Sequence, residues 1–237
     1  MTKEDGESPR NVRKIRLQKD KLYIMVLILF ISPFYLNDFS SIYIKDWRWW
    51  LFIDYTAVKL FPLLIVIWLI RNKKMQPAEF GLITQSVFGF VIVFAGCAII
   101  GTLIDQNAYE LIKGLPGYAS VGVMPVIKSP AWDWMDLTLG LLMVGVFEEL
   151  IFRGYMYTFI SRYSKSRTVI VLISATAFGC AHWSGGLHVL IVTSVVGAVF
   201  MIAYLKTRSV PAIMLAHFVV NFIDYAGIVP KSIFKFI

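Results

Sequence analysis

Long, continuous apolar runs are the feature of this sequence that most restricts its fold. Seven of them occupy most of the chain, at about 22–36, 51–70, 82–104, 134–160, 168–182, 188–205 and 209–229. About 20 apolar residues are needed for a helix to cross the hydrocarbon core of a membrane. A transmembrane barrel would instead show short strands of alternating polarity. The pattern therefore predicts an all-α, polytopic transmembrane helical bundle of about seven spans.

Composition supports a location in the cell membrane. The 237 residues are 58% hydrophobic and only 16% charged, with a mean hydropathy of +0.69, whereas about a quarter of the residues of a soluble domain are charged. The basic residues lie in short loops beside the apolar runs, so nucleic acid is not expected as a partner. The two cysteines, Cys97 and Cys180, fall within apolar runs and suggest neither a disulfide framework nor a metal motif.

The distribution of basic residues predicts the orientation of the spans. With the N-terminus inside, the internal segments contain 15 of the 23 Lys and Arg residues and the external segments contain 6. Because cytoplasmic loops are enriched in Lys and Arg, we expect an N-in, C-out arrangement. Residues 1–21 then form a mobile cytoplasmic tail, and 22–237 form a single membrane domain. The Gly- and Pro-containing external segment 105–133 is expected to be a loop, and a re-entrant course and a covering or gating role remain open for it.

Three charged residues lie close together inside the fourth apolar run. A charge at bilayer depth costs a few kcal/mol, so the default interpretation of Glu148, Glu149 and Arg153 is a functional site. Glu149 and Arg153 are four residues apart, on one helical face, and should form an ion pair. Successive helical residues are 100° apart, so Glu148 should face elsewhere, unpaired, as a general base would. The alternative is a cluster of ion pairs that only holds helices together.

Polar side chains also occur in the later apolar runs. His182 ends the fifth run, and Phe178, one turn earlier, could form a wall beside its imidazole. His217 and Asn221 are four residues apart in the last run, and Asp224 continues the same stripe. A single histidine in an apolar helix is usually a packing residue. Several polar groups on separate spans are more informative, because each needs a partner, and the available partners are one another or shared water.

Other polar residues are less informative. His188 begins the sixth run at the predicted outer interface, where a water-facing position is expected, and Asp54 is predicted to be interfacial too. Lys59 lies deeper in the second run, where pairing with an acid on another span is one option. Thr193 and Gly197 offer a small-residue surface for close helix packing.

Three motifs resemble those of the CAAX-protease and bacteriocin-processing family of intramembrane proteases, also called CPBP or Abi. They are E-E-x-x-x-R from Glu148 to Arg153, F-x-x-x-H from Phe178 to His182, and H-x-x-x-N from His217 to Asn221. Each motif is weak by itself, but together, in the family's order, they are specific. The resemblance covers roughly residues 133–229, which would form the catalytic core. The first three spans contain no matching motif.

The resemblance implies an intramembrane endopeptidase that acts on a membrane-associated protein or peptide. Glu148 and His182 would activate a water, and His217 and Asn221 would stabilise the oxyanion. The supporting residues would be Glu149, Arg153, Phe178 and Asp224.

The mechanism of this family has been described both as glutamate-type and as metal-dependent. Zinc held by Glu148, His182 and His217 is conceivable, but no motif spacing requires it. We therefore favour activation of water without a cofactor. Two other classes remain open: a non-catalytic immunity or scaffold protein of the same fold, and a transporter or proton relay.

Overall fold

The computed structural model describes residues 9–227, 230–233 and 235–236. This part of the chain is all-helical, as predicted, with seven helices longer than ten residues. They are α1 (Pro9–Tyr43), α2 (Trp47–Arg71), α3 (Val87–Ile112), α4 (130–160), α5 (Arg167–Cys180), α6 (Leu187–Thr207) and α7 (Pro211–Ala226). Short 3₁₀ turns occur at Pro77–Phe80, Trp183–Gly185 and Lys231–Ile233.

The seven predicted runs correspond to the seven helices. The first helix is much longer than its apolar run, because residues 9–21, predicted to be a mobile tail, are helical from Pro9 onward. Residues 1–8 of that tail and 228–229 of the last run lie outside the described residues. The third helix continues past residue 104 to Ile112, and two polar residues of this extension, Gln106 and Asn107, are buried.

Four helices among the described residues are long and apolar enough to cross a membrane: Leu17–Tyr43, α2, α3 and α6. The other three differ in length or charge. Helices α5 and α7 are apolar but shorter, and α4 contains the charged residues of its middle turns. The chain is therefore a multi-pass membrane protein, while seven spans and the N-in, C-out orientation remain predictions.

Local sequence explains where several helices begin. Asp46 precedes α2 and accepts a hydrogen bond from Arg48 N at 3.0 Å, and Ser86 precedes α3 and accepts one from Gly89 N at 3.1 Å. Such caps satisfy backbone N–H groups that have no partner within the helix. Helices α4 and α7 begin with Pro130 and Pro211, a position where the missing N–H of proline has no cost.

Three π-helical turns interrupt the regular helices. One lies in α2, at Asp54–Leu60, and two lie in α4, at Asp136–Gly140 and Leu150–Tyr155. A π turn accommodates an extra residue and so changes the face on which the following side chains lie; such turns occur frequently at functional sites.

Glycines allow close approach of the helices that surround the middle of α4. Helix α7 packs against α3 and α4, and α5 packs along α6. A Cβ atom at Gly145 of α4 would lie 2.7 Å from the Met214 carbonyl oxygen of α7. At Gly197 of α6, a Cβ atom would lie 2.9 Å from the Phe178 ring. The small-residue contact predicted for Gly197 is therefore present, whereas Thr193 bonds to the Val189 carbonyl of its own helix.

The external loop is shorter than predicted. Residues 113–129 contain neither helix nor strand, but 105–112 belong to α3 and 130–133 to α4. The loop lies against the turn that follows α5, where Val121 N donates to Ser184 O at 2.9 Å and Leu187 N donates to Tyr118 O at 3.3 Å. This contact fits a role for the loop in covering the turn that follows α5.

Asp54 and Lys59 form a buried ion pair with each other. The π turn brings the lysine of the same helix onto Asp54, and the interfacial depth predicted for Asp54 stays a prediction. Lys59 therefore pairs with an acid of its own helix, and not with an acid on another span. His188 is only half-buried, and its ring packs against Tyr109 with centroids 5.4 Å apart.

Candidate active site

The two adjacent glutamates lie directly before the second π turn of α4. Glu148 and Glu149 are the last residues of a regular segment, and the π turn begins at Leu150. Both glutamates are buried, and Glu149 is 0% exposed. The π turn is tied to α5, because Ser174 Oγ donates to the Phe152 carbonyl at 2.6 Å.

His217 of α7 lies between these two carboxylates. Its Nδ1 is 2.7 Å from Glu149 Oε1, and its Nε2 is 3.6 Å from Glu148 Oε2. Because a carboxylate only accepts hydrogen bonds, Nδ1 must carry the hydrogen that it donates to Glu149. The expectation that Glu148 faces away from the groups around Glu149 is wrong. One imidazole offers two nitrogens on different edges, so neighbouring carboxylates can approach the same ring.

Arg153 pairs with Glu149, as their spacing predicted. Its Nε is 3.0 Å from Glu149 Oε2, and both side chains are 0% exposed. Although the distance is that of an ion pair, the two atoms are not aligned for a hydrogen bond. The guanidinium lies over the Phe178 ring, with Cζ 4.2 Å from the centroid, and 5.4 Å from the Phe200 centroid. Aromatic faces stabilise the cation where water is excluded.

Phe178 connects the two histidines of the site. Its ring centroid is 5.0 Å from that of His182 and 5.8 Å from that of His217. The expected aromatic wall beside His182 is therefore present. His182 itself lies just beyond the end of α5, and its Nδ1 is 3.0 Å from the Phe178 carbonyl oxygen. Since a carbonyl only accepts, Nδ1 carries the hydrogen, and Nε2 of a neutral ring is free to accept a proton.

Asn221 and Asp224 lie further along α7. Asn221 is half-buried, and its side-chain amide makes no hydrogen bond within the described part of the chain. Asp224 accepts a hydrogen bond from Gln106 Nε2 of α3 at 3.2 Å, and the same amide nitrogen is 2.6 Å from Asp105. Asp224 therefore joins α7 to α3, while Asn221 leaves an amide available one turn from His217.

The grouping of possible metal ligands also bears on the chemistry of the site. Among the described residues, no three His, Cys, Asp or Glu side chains are arranged to hold a metal ion. Glu148, His182 and His217, the set considered from sequence, are thus not grouped as ligands.

Sequence reasoning missed two contributors to this site. Phe200 of α6 packs edge-on against His217, with centroids 5.8 Å apart, but an aromatic residue in an apolar run has no distinguishing local signal. Helix α1 holds the turn after His182, because Ser184 N donates to Asp38 Oδ2 at 2.8 Å. Asp38 was predicted to lie in an external segment, and its spacing matches no motif.

Acidic, histidine and arginine side chains buried together define a multi-pass membrane protein with a functional site inside its helical bundle. Residues 130–223 match the family described as Type II CAAX prenyl endopeptidase Rce1-like. This segment contains all three motifs and belongs to that family of intramembrane proteases, which confirms the resemblance seen in the sequence. No curated protein and no solved structure matches the chain.

Proposed function

We propose that this protein hydrolyses a peptide bond within a membrane-associated protein or peptide. The observation that supports the proposal best is the convergence of Glu148, Glu149 and His217 from two helices at one buried site. Amide hydrolysis requires a base that activates water and donors that stabilise the oxyanion. The site has candidates for both roles.

Glu148 and His182 are the proposed proton acceptors. Glu148 Oε2 has no hydrogen-bond partner among the described residues, which leaves it available to a water molecule. The Nδ1 hydrogen of His182 is used on the Phe178 carbonyl, so its Nε2 can accept a second water hydrogen. Phe178 thus determines which nitrogen of His182 acts as the acceptor.

His217 and Asn221 are the proposed oxyanion donors. Nδ1–H of His217 is directed to Glu149, so Nε2 can donate to an oxyanion only when the ring carries both hydrogens. The Glu149 carboxylate balances the resulting positive charge. The amide of Asn221, one turn along α7, supplies a neutral second donor.

The reaction then follows from these roles. The water oxygen forms a bond to the peptide carbonyl carbon while Glu148 accepts a proton, and the carbonyl oxygen becomes the oxyanion. When the C–N bond breaks, Glu148 passes its proton to the departing amine nitrogen. The second water proton goes to His182 Nε2, which leaves the carbonyl carbon as a carboxylate. Glu149 and Arg153 maintain the position of His217, Phe178 positions His182, and Asp224 fixes α7 against α3.

A Glu148→Gln variant tests the proposal. The purified protein in vesicles would be given a membrane-anchored prenylated peptide, the substrate type in the matched family's description, and cleavage would be followed by mass spectrometry. Losing one general base typically lowers the rate by about 10²- to 10⁴-fold, so cleavage by the variant should fall by that range. Glu110→Gln, the same chemical change at an exposed carboxylate paired with Lys113, should leave cleavage unchanged.

The same variants separate the alternative functions. A folded Glu148→Gln protein that cleaves at the wild-type rate would exclude the proposed mechanism. If Glu148→Gln and His182→Ala both retain the cellular phenotype of the protein, a non-catalytic scaffold or immunity role is favoured. Solute flux in liposomes without cleavage would favour a transporter.

A further inference from the structure

The loop that joins α3 to α4, residues 113–129, exposes an unusual amount of apolar surface. Val126 is 81% exposed and Val123 is 71% exposed. Other large apolar side chains of this loop are also exposed, namely Leu115, Tyr118, Val121 and Met124. Contiguous exposed apolar patches mark surfaces that contact a protein or a membrane.

The charges around the loop favour lipid over a protein partner. Between residues 111 and 132 the sequence contains no Asp or Glu, and Lys113 and Lys128 are its only charged residues. Lysines that flank an apolar segment suit the phosphate-bearing headgroup region of a membrane. Both ends of the loop also join membrane helices, and the exposed Trp132 and Trp134 follow it immediately. Tryptophan is enriched at the level of the headgroups.

Backbone hydrogen bonding limits how deep the loop can lie. Val121 N and Gly122 N both donate to the Ser184 carbonyl, at 2.9 and 3.3 Å, and Ser120 Oγ donates to the Gly122 carbonyl at 2.9 Å. Other backbone groups of this irregular segment require water, because lipid-exposed irregular loops do not occur within the hydrocarbon core. At the boundary between headgroups and acyl chains, the apolar side chains can contact lipid while the backbone groups bond to water.

We propose that the 113–129 loop is a lipid-binding surface that inserts its apolar side chains into the headgroup–acyl boundary of the membrane. Because the loop is bonded to Ser184, the contact also ties the turn after His182 to the membrane surface. This inference does not depend on the proteolytic function.

Site-specific fluorescence tests the insertion. An environment-sensitive dye would be attached at Val126→Cys in the full-length protein with Cys97 and Cys180 replaced by Ala, reconstituted in vesicles of phosphatidylcholine and phosphatidylglycerol. The matched controls are Ile99→Cys, on an exposed apolar face of α3, and Asn72→Cys, in the exposed polar turn after α2. Quenching would be measured with lipids spin-labelled near the headgroup or at the chain end, and with aqueous iodide.

The proposal predicts a distinct pattern for Val126→Cys. The dye at Val126→Cys should emit at a shorter wavelength than the dye at Asn72→Cys. Its emission should also be quenched more strongly by the headgroup-proximal spin label than by the chain-end label. Ile99→Cys should show the opposite preference between the two labels. Quenching by iodide equal to that of Asn72→Cys would overturn the proposal. Protection from iodide and from both spin labels would also overturn it, because a protein partner would then cover the loop.

Discussion

At the scale of single residues, the site is held by one chain of contacts. Arg153 pairs with Glu149, and Glu149 accepts a hydrogen bond from His217 Nδ1 at 2.7 Å. Glu148 Oε2 lies 3.6 Å from the other ring nitrogen, a distance too long for a direct hydrogen bond. The two glutamates are adjacent in sequence but unequal in surroundings, since Glu149 forms the ion pair with Arg153.

Replacing Arg153 should separate the contribution of these contacts to stability from their contribution to catalysis. Arg153→Met leaves Glu149 buried without its cation, and breaking a buried ion pair costs about 3–5 kcal/mol. We expect a markedly lower unfolding temperature for the purified protein in detergent. A stability equal to that of the wild type would contradict the assignment of a structural ion pair.

The double variant Glu149→Gln with Arg153→Met is the control. It removes both charges together, so part of the lost stability should return. Cleavage should remain impaired, because the carboxylate that accepts the hydrogen of His217 Nδ1 is then missing. Recovery of both stability and cleavage would show that Glu149 acts only through Arg153.

At the scale of helices, α1 supports the segment that matches the protease family, although α1 lies outside that match. The family match begins at residue 130, yet Tyr35 OH of α1 donates to the Ala177 carbonyl at 2.8 Å and Trp183 Nε1 donates to the Tyr35 carbonyl at 3.1 Å. Together with Asp38, these contacts bracket His182 on both sides. The first helix therefore sets where α5 ends and where His182 lies.

Asp38→Ala should lower turnover without abolishing folding. A hydrogen bond to a charged group is worth about 1.5–3 kcal/mol, so we expect kcat to fall by about tenfold or more while KM changes little. Steady-state kinetics of the reconstituted protein measure kcat and KM separately. Asp38→Asn retains an oxygen that can accept from Ser184 N and should restore most of the turnover; equal losses in both variants would argue against a positioning role.

At the scale of the whole molecule, the arrangement in the membrane follows from charge. The basic turns between α2 and α3 and between α4 and α5 should lie on the cytoplasmic side, and the 113–129 loop on the other. Single cysteines at Asn72, Ser164 and Ala119, with Cys97 and Cys180 replaced, would be labelled by an impermeant reagent in intact cells. We expect labelling of Ala119→Cys alone until the cells are permeabilised. Labelling of Ser164→Cys in intact cells would show that α4 does not cross the membrane.

Much of the architecture was predictable because apolar runs report directly on helices. The runs located all seven long helices of the described residues, and the three motifs identified the protease family. The length of α1, the extension of α3 to Ile112 and the burial of Asp54 were not predictable. Each depends on a partner distant in sequence or on a π turn, and apolar periodicity detects neither.

The local order of residues by itself determined the helices, the family motifs and the pairing of Glu149 with Arg153, because these depend on contacts within a few turns of one helix. Only the tertiary structure decided that Glu148 and Glu149 approach the same imidazole and that Phe178 lies between the two histidines. Those contacts join side chains from α4, α5 and α7, and their geometry depends on how closely glycines allow these helices to pack. A linear pattern contains no information about that distance.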